Sequence, residues 1–316
     1  MTTRLKDRRI RMDILKTVMP VIVMLALGKM FALKKVISAE TVSGIKGLIS
    51  GILLPVVIFN ALLTMQFSMR SLCLSLLVYA LYTIALFLVL KLISPKLKYR
   101  MSGFLMLGAE GGMMGYALYT SLFGSEALST LMEVDLGNIL FAFTFFIVLI
   151  KMANSDEKDT KKVIVDSLKT PLVSVVAIAI VLNVMGVGRW LMASQIGSLY
   201  TAVVNMVTSP VSALILMSVG YELELDPSLL KDVGRVSIIR LVINALIALV
   251  LLTAARSLII SDQLRAAVLL YAILPPQFIT PIFIKDTKQS SFAATVLSFY
   301  TLITIAGYII LAAIAV

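Results

Sequence analysis

The chain has 316 residues, of which 60% are apolar and only 14% charged, and its mean hydropathy is +1.02. Soluble domains carry about 45–50% apolar and about 25% charged residues, so the surplus must face lipid and a soluble globule is excluded. With no histidine and one cysteine, Cys73, an internal disulfide, a Cys/His zinc site and any nucleophile that needs a histidine partner are excluded too. No cofactor, no metal and no enzymatic role is expected. The net charge of +11 reads as loop Lys and Arg that set topology and meet anionic lipid. No basic patch interleaved with aromatics points to nucleic acid.

In chain order, residues 1–17 form a basic tail with Arg4, Lys6, Arg8, Arg9, Arg11 and Lys16. No small-x-small cleavage site follows the apolar run 18–26, so the segment is expected to be a retained first helix rather than a removed signal. Ten apolar spans of bilayer length can be placed: 18–33, 45–64, 71–93, 101–123 and 133–152, then 171–187, 195–220, 236–256, 265–285 and 291–316. The polar stretch KMANSDEKDTKKVIVDSLK, 151–169, lies at the midpoint of the chain. Four segments follow: tail 1–17, a first five-helix repeat 18–152, a polar linker 153–170 and a second five-helix repeat 171–316.

The repeat rests on matched irregularities. Pro55 interrupts the second span and Pro210 the seventh, each removing a backbone hydrogen bond. GAEGGMMG, 108–115, interrupts the fourth span, and LPPQFITP, 274–281, the ninth. Five spans per half is an odd number, so the halves must be inverted in topology. The expected fold is therefore an all-α polytopic membrane protein of ten transmembrane helices, with helices 4 and 9 broken and crossing. Paired broken spans in inverted halves point to the site of a secondary transporter, because such breaks survive only against protein or a water-filled cavity.

The stretch LGKMFALKKVISAETVSGIKGLISGILLPVVIFNALL resembles the opening of the auxin efflux carrier family, from a glycine-ended first helix through a basic loop into a Leu-Pro helix. GAEGGMMGYALYTSLFGSEAL resembles the family's fourth span, which ends in a Phe-Gly-x-x-Ala-Leu turn, here Phe123, Gly124, Ala127 and Leu128. The resemblance covers nearly the whole chain and weakens after Pro210. It implies two unwound helices meeting at a mid-membrane site, an elevator-like movement, a small organic anion as solute, and a homodimer among the assemblies. Two departures stand out. The family often has Asn at Glu110 and Pro at Ala117. The alternatives are a proton- or sodium-coupled carrier of a cationic or zwitterionic solute, similar to bile-acid symporters, and a membrane receptor that binds a ligand without moving it.

Glu110 reads as the one acidic residue deep in a span, where a charge costs on the order of 2.5–3.5 kcal/mol unless it has a task. It is expected to bind a proton or sodium ion, or a cationic group of the solute; the competing reading is a carboxyl that caps the broken helix. Gly111, Gly112, Pro275, Pro276 and Gln277 mark the breaks and are expected to line the site. Asn60 and Asn138 divide between cavity lining and interhelical hydrogen bonding. Asn183 and Asn205 are weaker candidates. Lys29 and Arg240 are expected to snorkel to the headgroups, and Glu133 and Asp135 to lie at the interface where span five begins. The 17 methionines read as flexible packing rather than a copper path.

With ten spans both termini share a side. Loops on that side hold four Lys or Arg, ten with the tail, against sixteen on the other. The excess of basic residues in cytoplasmic loops then puts the 151–169 linker in the cytoplasm of a bacterial plasma membrane and the termini outside. Single cysteines at Ser155 and Thr3, in a Cys73→Ser background, report this directly. An impermeant thiol reagent on intact cells is expected to label position 3 and spare position 155; the opposite pattern inverts the topology.

Overall fold

The computed structural model describes residues 2–154, 171–284 and 286–315. Most of the 151–169 linker lies outside the described residues, and so does the boundary it would mark. The described residues are helical, with no strand among them. Helix α1 is Thr2–Leu33, continuous from the basic tail into the first apolar span. Then come α2 (Ala39–Thr64) and α3 (Met69–Lys96). A 3-10 turn at Arg100–Gly103 and an irregular stretch, 104–110, lead into α4, residues 111–123. Helix α5 is Ser125–Ala153. Beyond the linker are α6 (Pro171–Val184), α7 (Val187–Ala193), α8 (Gly197–Glu222) and α9 (Pro227–Thr253). Helix α10 is Asp262–Ile273, followed by an irregular stretch with a 3-10 turn at Thr280–Phe283, and α11 is Thr287–Ala315.

Six helices, α2, α3, α5, α8, α9 and α11, are long and apolar enough to cross a bilayer; α6 and α7, bent by 71° at their junction, raise the number to seven if they count as one span. Their 26–29 residues exceed the roughly 20 that a hydrocarbon core of about 30 Å requires. Apolar side chains are exposed along them, such as Ile238, Val242, Leu246 and Leu249 on α9. In water such a surface would be a liability; in lipid it is the required one. The protein is thus an integral, multi-pass membrane protein.

Local chemistry explains the element ends. Ser68 accepts from Ser71 N while Ser71 Oγ accepts from Ser68 N, a reciprocal cap that starts α3. Ser38 and Ser261 cap α2 and α10 in the same sense. Both expected proline irregularities are present. In α2 a π-turn at Ile49–Leu53 precedes Pro55, and in α8 a turn at 209–210 separates Gly197–Thr208 from Val211–Glu222.

Helices α1 and α8 cross on glycines from both sides. A Cβ on Gly28 would meet the carbonyl of Met217, and one on Gly220 that of Leu25. Small residues at the crossing let the two backbones approach, which is how helices gain packing when lipid offers no hydrophobic drive. Gly220→Leu is therefore expected to separate α1 from α8 and destabilise by about 1–3 kcal/mol, the usual range for overpacking. Gly44→Leu, with nothing within 4 Å of its Cβ position, is the control. Thermal unfolding in detergent checks the pair: Gly220→Leu should lower the midpoint by several degrees and Gly44→Leu should leave it unmoved.

Candidate functional site

The two irregular stretches meet. Glu110 N donates to Pro275 O at 3.0 Å. On one side of this contact Met101 N donates to Gln289 Oε1 at 3.1 Å, and on the other Tyr119 Oη donates to Gln263 O at 3.1 Å. The segments 101–123 and 262–289 therefore run antiparallel along their length and touch at their breaks.

A broken helix leaves carbonyl and N–H groups without intrahelical partners, and buried ones must be satisfied. Four side chains do so here. Arg240, fully buried on α9, donates from Nη1 to Leu105 O (3.2 Å) and from Nη2 to Gly108 O (2.7 Å) and Leu274 O (2.8 Å), carbonyls of both breaks. Its guanidinium carbon lies 4.9 Å from the Tyr300 ring centre, a cation–π contact. Asn244, one turn on, donates to Met106 O at 3.1 Å. Asn138, on α5, pairs with Ala109 in both directions, accepting from its N and donating to its O at 3.0 Å each. Glu110 Oε1 accepts from Met113 N (2.9 Å) and Oε2 from Phe278 N (2.6 Å), so one carboxylate serves both breaks. Gly108 takes φ +73°, a left-handed conformation that suits glycine.

A second carboxylate lies behind the first. Asp135 is 1% exposed. Oδ2 accepts from Tyr116 Oη, and Oδ1 from Asn138 Nδ2 at 3.1 Å. Gly111 is packed so closely here that a Cβ would meet Tyr271 Oη and Asp135 Oδ1. Two clefts lie at opposite ends of α3 and α5. One, of about 640 Å³, is lined by Arg70, Ser129, Glu133, Ser261 and Gln263 among others; the other, of about 520 Å³, by Leu90, Lys98, Arg100, Phe104 and Leu149 among others.

Of the residues singled out in the sequence, Glu110, Gly111, Pro275 and Asn138 are brought together by these contacts. Gly112 packs toward Leu54 of α2, Pro276 is buried at the second break, and the Gln277 amide lies against Gly108. Asn60 stands apart: its Oδ1 accepts from Tyr200 Oη at 3.1 Å across the α2–α8 interface. Asn183 donates to the carbonyls of Leu62, Leu63 and Met65, closing the end of α2, and Asn205 is exposed.

Three expectations are corrected. Asp135 is not interfacial, because the α5 span starts at Ser125, eight residues before Glu133, and carries Asp135 into the interior. Glu110 is consequently not the one deep acid. Arg240 does not snorkel: carbonyls freed by the breaks replace the headgroups as its partners. Lys29, half-buried, donates to Leu223 O at the end of α8 at 2.5 Å. Glu133 keeps an edge position, paired with Arg70 at 2.9 Å on the rim of the larger cleft. Periodicity and composition could not have revealed the Arg240 contacts; a lone arginine in an apolar span was the available signal.

No protein-family model matches the chain, and no curated protein matches it either.

Arg240→Leu would leave the carbonyls of Leu105, Gly108 and Leu274 without this donor, at about 1–3 kcal/mol for each buried group left unsatisfied. Loss of a stable fold is the expected outcome. Arg240→Lys should recover part of it, since an ammonium cannot span the same fork. Arg235→Leu, on an exposed position of the same helix, should unfold like the wild type.

Proposed function

We propose that this protein is a secondary-active carrier of the auxin efflux carrier type, working by elevator-like alternating access. The observation that carries the reading is the direct contact of two antiparallel broken segments through Glu110 N and Pro275 O. Breaks in lipid-embedded helices are costly and are retained where a solute or ion must be handled. In this reading 101–123 and 262–284 are the fourth and ninth of ten spans, arranged as two inverted five-helix repeats. Clefts at opposite ends of α3 and α5 suit a carrier that opens to each side in turn. The reading keeps the linker cytoplasmic and the termini outside in a bacterial plasma membrane, with a homodimer as the assembly.

The proposed solute is a small organic anion, as the resemblance implies. One observation favours a second reading. At the start of α4, where an anion would dock, Met113 N already donates to the Glu110 carboxylate, and Asp135 adds a second carboxylate. A proton- or sodium-coupled carrier of a cationic or zwitterionic solute fits that charge better.

The test is a thermal-shift screen of the purified protein against dicarboxylates, indole acids and amines, with and without sodium and across pH, followed by uptake into proteoliposomes. A solute that raises the unfolding midpoint should also be taken up saturably. A binder that never crosses overturns the carrier reading in favour of a receptor. Within the same assay, Glu110→Gln is expected to lower both uptake and thermal stability. The amide would set an N–H group against either Met113 N or Phe278 N, whereas a carboxylate accepts from both. Wild-type stability in the variant would show that the cap is dispensable.

A further inference from the structure

Asp135 is a buried carboxylate with no cation beside it and, unlike Glu110, with only neutral side chains rather than backbone N–H groups as its hydrogen-bonding neighbours. Arg240 directs its donors at carbonyls, Arg70 is taken by Glu133, and no lysine or arginine is among the groups that act on Asp135. Its neighbours are neutral: Tyr116 from α4, Asn138 on its own helix and Tyr271 from α10. The other titratable groups facing the cluster are Tyr82 from α3 and Glu110 from the first break. Helix α2 brings only Lys46, which acts on Glu110 and is paired with Glu222. The groups set around Asp135 are hydrogen-bond donors, a phenol and an amide. A metal cation would need the lone pairs of these groups, rather than their donor hydrogens, turned toward it.

The Tyr271 hydroxyl is the second observation. It is buried, has no geometric hydrogen-bond partner, and lies with Asp135 Oδ1 against the Cβ position of Gly111. A hydroxyl both donates and accepts. It can donate to the ionised carboxylate or, by rotating, accept from the protonated acid. The site thus offers partners to Asp135 in both of its charge states.

We propose that Asp135 is a reversible proton-binding site, and the group through which this protein couples to a proton gradient; the coupling half of this inference rests on the carrier reading. In the step, a proton from water on one side forms an O–H bond to an Asp135 carboxylate oxygen, and on the other side that bond breaks and the proton returns to water. No other bond changes. An unpaired carboxylate closed off from water is costly, and protonation removes the cost. Occlusion and proton uptake are therefore thermodynamically linked. The link reaches the first break because Asn138 Nδ2 contacts Asp135 Oδ1 while the same side chain holds Ala109 N and O. Glu110, spent on two backbone N–H groups, keeps its capping role.

Two measurements test this, and only one needs transport. Infrared difference spectra of the purified protein across pH should show a protonated-carboxyl band that Asp135→Asn abolishes and Glu110→Gln retains. The same band in Asp135→Asn overturns the proposal. Tyr116→Phe removes a donor to the ionised form, so the band should appear at a pH higher by about one unit. An unmoved midpoint overturns the proposal even if Asp135→Asn does not fold. In proteoliposomes, Asp135→Asn should lose accumulation driven by a pH gradient. Undiminished accumulation, or a requirement for Asp135 under a sodium gradient alone, overturns the coupling role. If the wild type moves no solute, the carrier reading fails and the infrared result still decides whether Asp135 binds a proton.

Discussion

Backbone satisfaction away from water is the constraint on which this molecule's interior depends. Two chain segments give up helical hydrogen bonding within a protein whose outer surface is apolar, and their carbonyl and N–H groups need other partners. Arg240 supplies three hydrogen bonds across both breaks, Asn138 pairs with Ala109 twice, Asn244 takes Met106 O and Glu110 takes Met113 N and Phe278 N. Each of these side chains is costly to bury alone, and each is tolerated because a free backbone group stands opposite it. The breaks and the polar residues are therefore one feature: a continuous helix at either place would leave Arg240 or Glu110 as an uncompensated charge.

The same accounting shows how the two breaks differ. In the first, the irregular chain precedes a helix, 111–123; in the second it follows one, Asp262–Ile273. Because the segments run antiparallel, both helical parts lie at the end where Tyr119 meets Gln263, and both irregular parts at the end where Met101 meets Gln289. The carbonyl-rich stretches 104–109 and 274 consequently share a side, within reach of one guanidinium. A single arginine suffices for that reason, and its fork geometry, rather than its charge alone, is what the site uses.

Much of the architecture was legible in the sequence because lipid imposes length and composition. The long apolar helices, the irregularities beside Pro55 and Pro210, and irregular chain within the expected breaks, at 108–110 and 274–279, follow from hydropathy and from where glycine and proline fall, while 111–115 is helical. The site was legible in part. Glu110, Gly111, Pro275 and Asn138 converge because a break marks its own neighbourhood. Asp135 and Arg240 were misjudged by one assumption, that a charged residue near a span boundary belongs at the membrane surface. The boundary of α5 lay eight residues earlier than the charge of Glu133 suggested, and Arg240 had partners on segments 130 or more residues away in sequence. Local pattern carries no information about such contacts. Asn60, whose partner is Tyr200 rather than the breaks, fails for the converse reason: a polar residue in a span can be fully explained by one neighbouring helix.

The charges at the centre can be followed one step further. The interior around the breaks holds one guanidinium and two carboxylates, Arg240, Glu110 and Asp135. The guanidinium and the Glu110 carboxylate are both engaged with backbone dipoles, so they act as fixed elements of the framework. Their charges serve opposite ends of peptide groups, carbonyls for Arg240 and N–H groups for Glu110, and neither can be removed without releasing the break it holds. Asp135 alone is bound by neutral side chains that tolerate either state. Any change in the net charge of the interior that leaves the framework intact must then fall on Asp135. A chain without histidine has few ways to combine a rigid interior with a variable charge, and separating the two carboxylates, one on the backbone and one on phenol and amide groups, is a solution that three helices and two breaks are sufficient to build.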